Sequence, residues 1–209
     1  MRMSKTLTSL LALTLGLGLA QATLAQEAAP AAPTADAPAA EGLSMGAAPA
    51  DPNGPGSMYV EANFNDWEQR CIREEDGTNP CQLYQLLQDG EGNNVAEFSL
   101  FNLPAGNQAA AGATIIVPLE TLLTANLVMK VDNTPEKVYP FSWCSNVGCV
   151  SRVGFTQAEV DAFKNGSKAV LTIVPVVAPD QKVALDLSLS GFTAGFNAVT
   201  EANTKNAGQ

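Results

Sequence analysis

Between residues 58 and 200 the hydrophobic positions of this chain recur with a period of two. Val183, Leu185, Leu187 and Leu189 alternate with Ala184, Asp186, Ser188 and Ser190, and Leu127, Met129 and Val131 alternate with Val128, Lys130 and Asp132. Successive side chains of a strand point to opposite faces, so the alternation predicts antiparallel strands with one buried face and one in water. Short runs at 58–64, 67–71, 81–87, 95–102, 113–117, 139–144, 149–155 and 169–174 predict further strands. Turn residues separate them at Asp76-Gly77, Asp89-Gly90, Asp132-Asn133 and Asn165-Gly166. Many short strands with turns between them predict an all-β sandwich or barrel.

One helix interrupts the series. Thr156 followed by Glu159 forms a capping box, Val160 and Phe163 share a face, and Gly166 stands where a helix would stop, so 157–165 is predicted helical. A second helical turn is expected from Thr193, after Gly191-Phe192. The small-residue stretch 104–112 predicts a mobile loop. Tyr139, Phe141 and Trp143 fall on one face of a single predicted strand, the spacing of a core strand, with a ligand platform as the competing reading.

Outside this region the pattern changes. Arg2 and Lys5 precede an apolar run from Leu7 to Leu19, and Ala20-Gln21-Ala22 and Thr23-Leu24-Ala25 offer small residues for cleavage. This order predicts a secretory signal peptide over 1–25, since the run is shorter than the roughly 20 residues that span a bilayer. Residues 26–57 are dominated by Ala, Pro and Gly with only acidic charges, and predict a disordered leader. One domain is expected over 58–200, followed by a flexible tail at 201–209. After cleavage 9 basic side chains face 21 acidic ones, a net charge of about −12. Such a field repels nucleic acid and anionic lipid surfaces, so neither nucleic acid binding nor stable membrane insertion is expected.

Chemistry is constrained by what the chain lacks. It contains no histidine, the commonest general base and metal ligand. Ser142, Ser145 and Ser151 therefore have no histidine base, and no Ser-x-x-Lys arrangement follows the signal. Glu74, Glu75 and Asp76 sit beside Gly77 and Asn79, which reads as a solvated turn rather than an acid/base pair. An oxygen-rich loop of this kind suits calcium, but the spaced Asp-x-Asp-x-Asp-Gly pattern is absent. No catalytic residue, metal or cofactor is expected.

Four cysteines remain, Cys71, Cys81, Cys144 and Cys149, in a chain expected to reach an oxidising compartment. Four residues separate Cys144 from Cys149, unlike a Cys-x-x-Cys redox site, so structural bridges are favoured. In the chain-entropy model the two local bridges contribute roughly 2–3 kcal/mol each, against roughly 4–5 for a crossed Cys71 to Cys144 bridge. Geometry points the other way: the turn-rich 74–80 and 146–148 segments bring Cys71 to Cys81 and Cys144 to Cys149 onto neighbouring strands. The expected bridges are Cys71–Cys81 and Cys144–Cys149.

An ordered set of residues resembles the invasion-associated locus B family. Trp67 lies four residues before Cys71, and Cys81 opens a strand. Ile116-Val117-Pro118 and Val131-Asp132 follow, then Pro140-Phe141-Ser142-Trp143-Cys144, Gly148-Cys149 and Leu187-Ser188-Leu189-Ser190-Gly191-Phe192. The resemblance implies an exported, immunoglobulin-like antiparallel β-sandwich with one or two short helices, working in the bacterial envelope. It implies a non-enzymatic protein that acts through contact with a protein partner of the envelope or of a host cell, in invasion or envelope integrity. The location expected is the periplasm, the outer-membrane periphery or the medium. The alternative is a periplasmic small-ligand or glycan-binding module, which an aromatic-lined pocket with converging polar groups would favour; a flat apolar patch would favour a protein partner.

Overall fold

The computed structural model describes Pro49 and residues 51–206. The predicted signal peptide, and the predicted leader apart from Pro49 and residues 51–57, lie outside the described residues. Eleven strands and two α-helices follow in the order β1 (Met58–Phe64), β2 (Trp67–Ile72), β3 (Cys81–Gln88), β4 (Asn94–Asn102), β5 (Ala111–Val117), β6 (Leu127–Val131), β7 (Lys137–Tyr139), β8 (Trp143–Ser145), β9 (Gly148–Phe155), α1 (Gln157–Asn165), β10 (Lys168–Ile173), β11 (Val183–Ser188) and α2 (Phe192–Asn206). A single 3-10 turn, Leu123–Ala125, precedes β6.

Every strand pairing is antiparallel, so the all-β antiparallel expectation holds. The sheet has two arms. One runs β1-β2-β3-β4-β5-β9-β8 and the other β7-β6-β10-β11, and a single residue pair, Asp186 with Gln88, joins them. The arms fold over one another, and the alternating positions read from the sequence supply both inner faces. Leu83, Leu87, Phe98, Leu100 and Ile115 come from one arm; Leu127, Met129, Leu171, Leu185 and Leu187 come from the other; all belong to one core. Trp67 lies at the seam, where its indole N–H donates to Ser188 O at 2.9 Å. The buried Gln85 side chain both donates to Ser188 O, at 3.1 Å, and accepts from Ser188 N, at 2.8 Å. Side chains of β2 and β3 thus take up the backbone groups at the end of β11, where the ladder between the arms is nearly absent.

Four expectations about extent are corrected. The predicted 139–144 strand is split: Pro140 has no N–H to give a ladder, so β7 ends before it and joins β6, while β8 starts after it and joins β9. The chain between them crosses from one arm to the other, fixed by Ser151 Oγ donating to Pro140 O and Ser142 N to Val150 O. At the N-terminal side, Gly56 N donates to Arg73 O and Arg73 N to Ser57 O, so residues 51–57 include ordered turns ahead of β1. At the C-terminal side, 201–206 is helical rather than a tail, because α2 continues to Asn206. Asn203 holds it down, accepting from Cys81 N and donating to Cys81 O and Asn102 Oδ1, while Asn206 donates to Asn79 O. In addition β5 starts at Ala111, so the small residues 111–112 belong to the ladder and the loop is 103–110.

The helix α1 starts as expected. Glu159 N donates to Thr156 Oγ1, and the Glu159 carboxylate accepts from Thr156 N at 2.8 Å. The same carboxylate also takes Lys137 Nζ at 2.7 Å and the Tyr139 hydroxyl at 3.2 Å, tying α1 to β7. Burial raises the Glu159 pKa, but the hydrogen bonds from Lys137 and Thr156 outweigh it and hold the carboxyl below its ordinary value. Burial, and then the negative charge of Glu159, pushes the Tyr139 hydroxyl up.

A carboxyl whose folded pKa is depressed contributes stability above its unfolded pKa, near 4.5, and loses it as pH falls through the lower folded value. Glu159→Gln should therefore lower the melting temperature at pH 7, and the variant should lose less than wild type between pH 7 and pH 3. Thr156→Ala, which removes one side of the box, should cost roughly 0.5–2 kcal/mol at neutral pH. Parallel pH profiles for wild type and Glu159→Gln would show that the carboxylate is energetically silent.

Candidate functional site

Both disulfides form between the residues expected, Cys71 with Cys81 and Cys144 with Cys149. Each joins residues directly opposite one another on adjacent strands, β2 with β3 and β8 with β9, which is why their Cα atoms are only 4.0 Å apart, closer than most bridges. Their settings differ. Cys71 and Cys81 are buried in the core, whereas the second bridge runs from buried Cys149 to exposed Cys144. The first therefore braces the core beneath α2, and the second holds the β8–β9 hairpin at the sheet edge.

The other candidate residues do not converge on a reactive centre. Ser142 and Ser145 are exposed, and buried Ser151 spends its hydroxyl on Pro140 O. Glu74, Glu75 and Asp76 occupy an exposed turn, where Asp76 accepts from Thr78 N and Thr78 Oγ1. Those hydrogen bonds, the backbone one first, lower the Asp76 pKa. Among the described residues no group of three His, Cys, Asp or Glu is placed to hold a metal.

The aromatic trio separates. Tyr139 and Phe141 pack against the core, and Tyr139 meets Phe155 edge-on at 6.1 Å. Trp143, beyond Pro140, is 50 % exposed on the outer edge of β8, which corrects its expected place in the core. It belongs instead to a surface that the sequence did not single out. Around one end of the sandwich stand Leu119 and Leu123 of the β5–β6 connection, Trp143, Val147 of the β8–β9 turn (71 % exposed), and Val176 and Val177 after β10 (52 % and 85 % exposed).

Backbone pairing places these segments together. Val117 pairs with Cys149, which sets the β8–β9 turn beside the exit of β5. Thr121 bridges Pro175, Leu122 N donates to Val174 O, and Val176 N donates to Glu120 O, which sets the Val176 segment beside the β5–β6 connection. Val176 and Val177 are adjacent large apolar residues outside any strand, where no ladder requires them. This end therefore carries apolar side chains that the sandwich core leaves in water.

These features define a class: a double-disulfide antiparallel β-sandwich with two helices and an apolar loop end. The chain belongs to the invasion associated locus B (IalB) protein family, whose family model matches residues 67–200. It is similar to invasion protein B homologs of Brucella abortus strain 2308 and of Brucella abortus biovar 1 strain 9-941. Each is 28 % identical over 151 residues, covering 72 % of this chain and 84 % of the relative. The fold is similar to the crystal structure of invasion associated protein b from Bartonella henselae, with a TM-score of 0.56 and 18 % identity. That likeness covers 66 % of this chain and 94 % of the other. The family resemblance read from the sequence is thereby confirmed.

Proposed function

We propose that this protein is exported to the bacterial envelope and works there, without catalysis, by protein–protein contact through the apolar end of its sandwich. The observation that carries the reading is the exposed set Leu119, Leu123, Trp143, Val147, Val176 and Val177, held together by backbone pairing of three connections. Exposed apolar side chains grouped in this way gain free energy when a partner removes them from water. Supporting the reading, the N-terminal sequence has the order of an export signal, and no helix among the described residues is long and apolar enough to cross a membrane. The names of the relatives attach the family to invasion, and the partner proposed here is a protein of the envelope or of a host cell.

Photo-crosslinking amino acids placed at Val147 and Val177, with Asn63 on β1 as an exposed control, test the surface in living cells. Discrete adducts are expected from 147 and 177 and not from 63. Introducing Leu119→Asp and Val176→Asp should abolish them, while thermal stability changes by no more than about 0.5 kcal/mol, as for ordinary surface substitutions. Adducts that persist in that variant, or that form equally from position 63, would sink the proposal.

A further inference from the structure

The opposite end of the sandwich holds an open groove of about 1090 Å³ with a different chemistry. One wall is α2 from Phe196 to Asn206, the facing wall is the β4–β5 loop, and Lys164 of α1 and Thr78 of the β2–β3 turn stand at its ends. Not one lining residue is acidic, although the chain carries 21 acidic side chains against 11 basic ones. The walls are Ala, Gly and Pro interleaved with carboxamides. Asn203 and Asn206 spend theirs on holding α2 to β3 and its preceding turn. Gln157 Nε2 donates to Asp161 Oδ1 and Asn197 Oδ1 accepts from Lys164 Nζ, which leaves one end of each carboxamide, while exposed Gln108 presents a whole one.

Lys164 is the only charged residue of the lining. None of the four ion pairs among the described residues includes it. Its ammonium stands 3.5 Å from Asn197 Oδ1 and 5.2 Å above the Phe196 ring, at the end of the groove where α2 begins. The far end is bounded by Thr78, whose N–H and hydroxyl bind the Asp76 carboxylate. The groove thus runs from a partly buried cation to an acidic turn. From Phe196 to Asn206 the helix rises about 15 Å, which an extended peptide of four or five residues spans.

We infer that this groove binds a short peptide with free termini and small uncharged side chains, its carboxylate at Lys164 and its ammonium towards the Asp76 turn. The Gln108 carboxamide donates and accepts at once, as a peptide group does, and Gln157 Oε1 and Asn197 Nδ2 add an acceptor and a donor, a set that matches a backbone rather than a charged side chain. The Ala- and Gly-rich loop wall lets that backbone approach. Sugars commonly stack on an open aromatic face, and the Phe196 ring offers none: it is buried, stacked on Phe192 at 5.7 Å and covered by Lys164.

Amide NMR titration of the signal-cleaved protein with the pentapeptide Ala-Ala-Ser-Ala-Ala tests the assignment. Saturable shifts are expected in residues 105–109 and 196–204. Amidating the peptide's C-terminus should weaken binding about tenfold or more, the worth of a hydrogen bond to a charged group. Lys164→Gln should bind the acid and amide forms alike, at the strength wild type shows for the amide, and Gln108→Ala should weaken both forms. Absence of saturable shifts in the groove, an amide form as tight as the acid, or equal weakening of both forms by Lys164→Gln would overturn the inference. Chitotriose saturating the same amides while the pentapeptide does not would overturn it in favour of a glycan.

Discussion

Replacing Trp67 with alanine is expected to destabilise the domain by about 3–5 kcal/mol, the range for deleting a fully buried large aromatic residue. Trp67 is completely buried at the seam between the arms, edge-on to Phe98 at 5.9 Å and to Phe192 at 5.4 Å. Phe98 stacks on Phe155, Phe155 meets Phe163, and Phe163 meets Phe192, so the indole closes a ring of aromatics drawn from β2, β4, β9, α1 and α2. Its removal leaves a cavity bordered by elements from both arms, which cannot collapse without moving a helix. Trp67→Phe should cost much less, about 1–2 kcal/mol, because Ser188 O keeps its hydrogen bond from Gln85. Urea denaturation followed by far-ultraviolet circular dichroism gives both values. Equal costs for the two variants would show that the indole N–H, not the ring volume, holds the seam. The remaining tryptophan, Trp143, is half exposed, so Trp67→Ala should also lose the buried component of the native fluorescence.

The strands were legible because a half-buried strand writes its two faces directly into the sequence, as at Leu127, Met129 and Val131 or Leu185 and Leu187. The cysteine pairs were legible because the turn residues between them bring neighbouring strands together, a geometric preference that outweighs the entropy favouring a crossed bridge. The split at Pro140 was not, since Tyr139, Phe141 and Trp143 keep their alternation across it while the missing N–H redirects the chain to the other arm. Helix α2 showed only as a turn: Thr193, Gly195, Asn197 and Thr200 are weak helix formers, and the helix is held by its burial of Phe192, Phe196 and Val199 and by Asn203. Neither candidate surface could be read in advance. The apolar end depends on which valines the sandwich leaves uncovered, and the groove on Lys164 meeting a helix 33 residues further along the chain.

Gly191→Ala is expected to be as damaging as a large core deletion, about 3 kcal/mol or more, although it adds one methyl group. Gly191 sits between β11 and α2 with φ at +88°, and a Cβ there would lie 2.0 Å from Phe64 O. That oxygen is backbone of the β1–β2 hairpin, whose Asn65 donates to Ser190 Oγ and whose Asp66 accepts from Ser188 Oγ, so it has little freedom to retreat. Either the hairpin or the start of α2 must move, and with α2 would go the packing of Phe192 and Phe196 on the core. Gly106→Ala separates this contact from backbone strain alone. Its φ is +92°, but nothing lies within 4 Å of the added atom, so it should cost only about 1 kcal/mol. Thermal midpoints of the two variants decide the matter: a much larger drop for Gly191→Ala is expected, and equal drops would mean that the close approach to Phe64 carries no energetic weight. Because α2 forms one wall of the proposed peptide groove, Gly191→Ala should also weaken pentapeptide binding through displacement of Asn197 and Thr200, at a temperature where the domain is still folded.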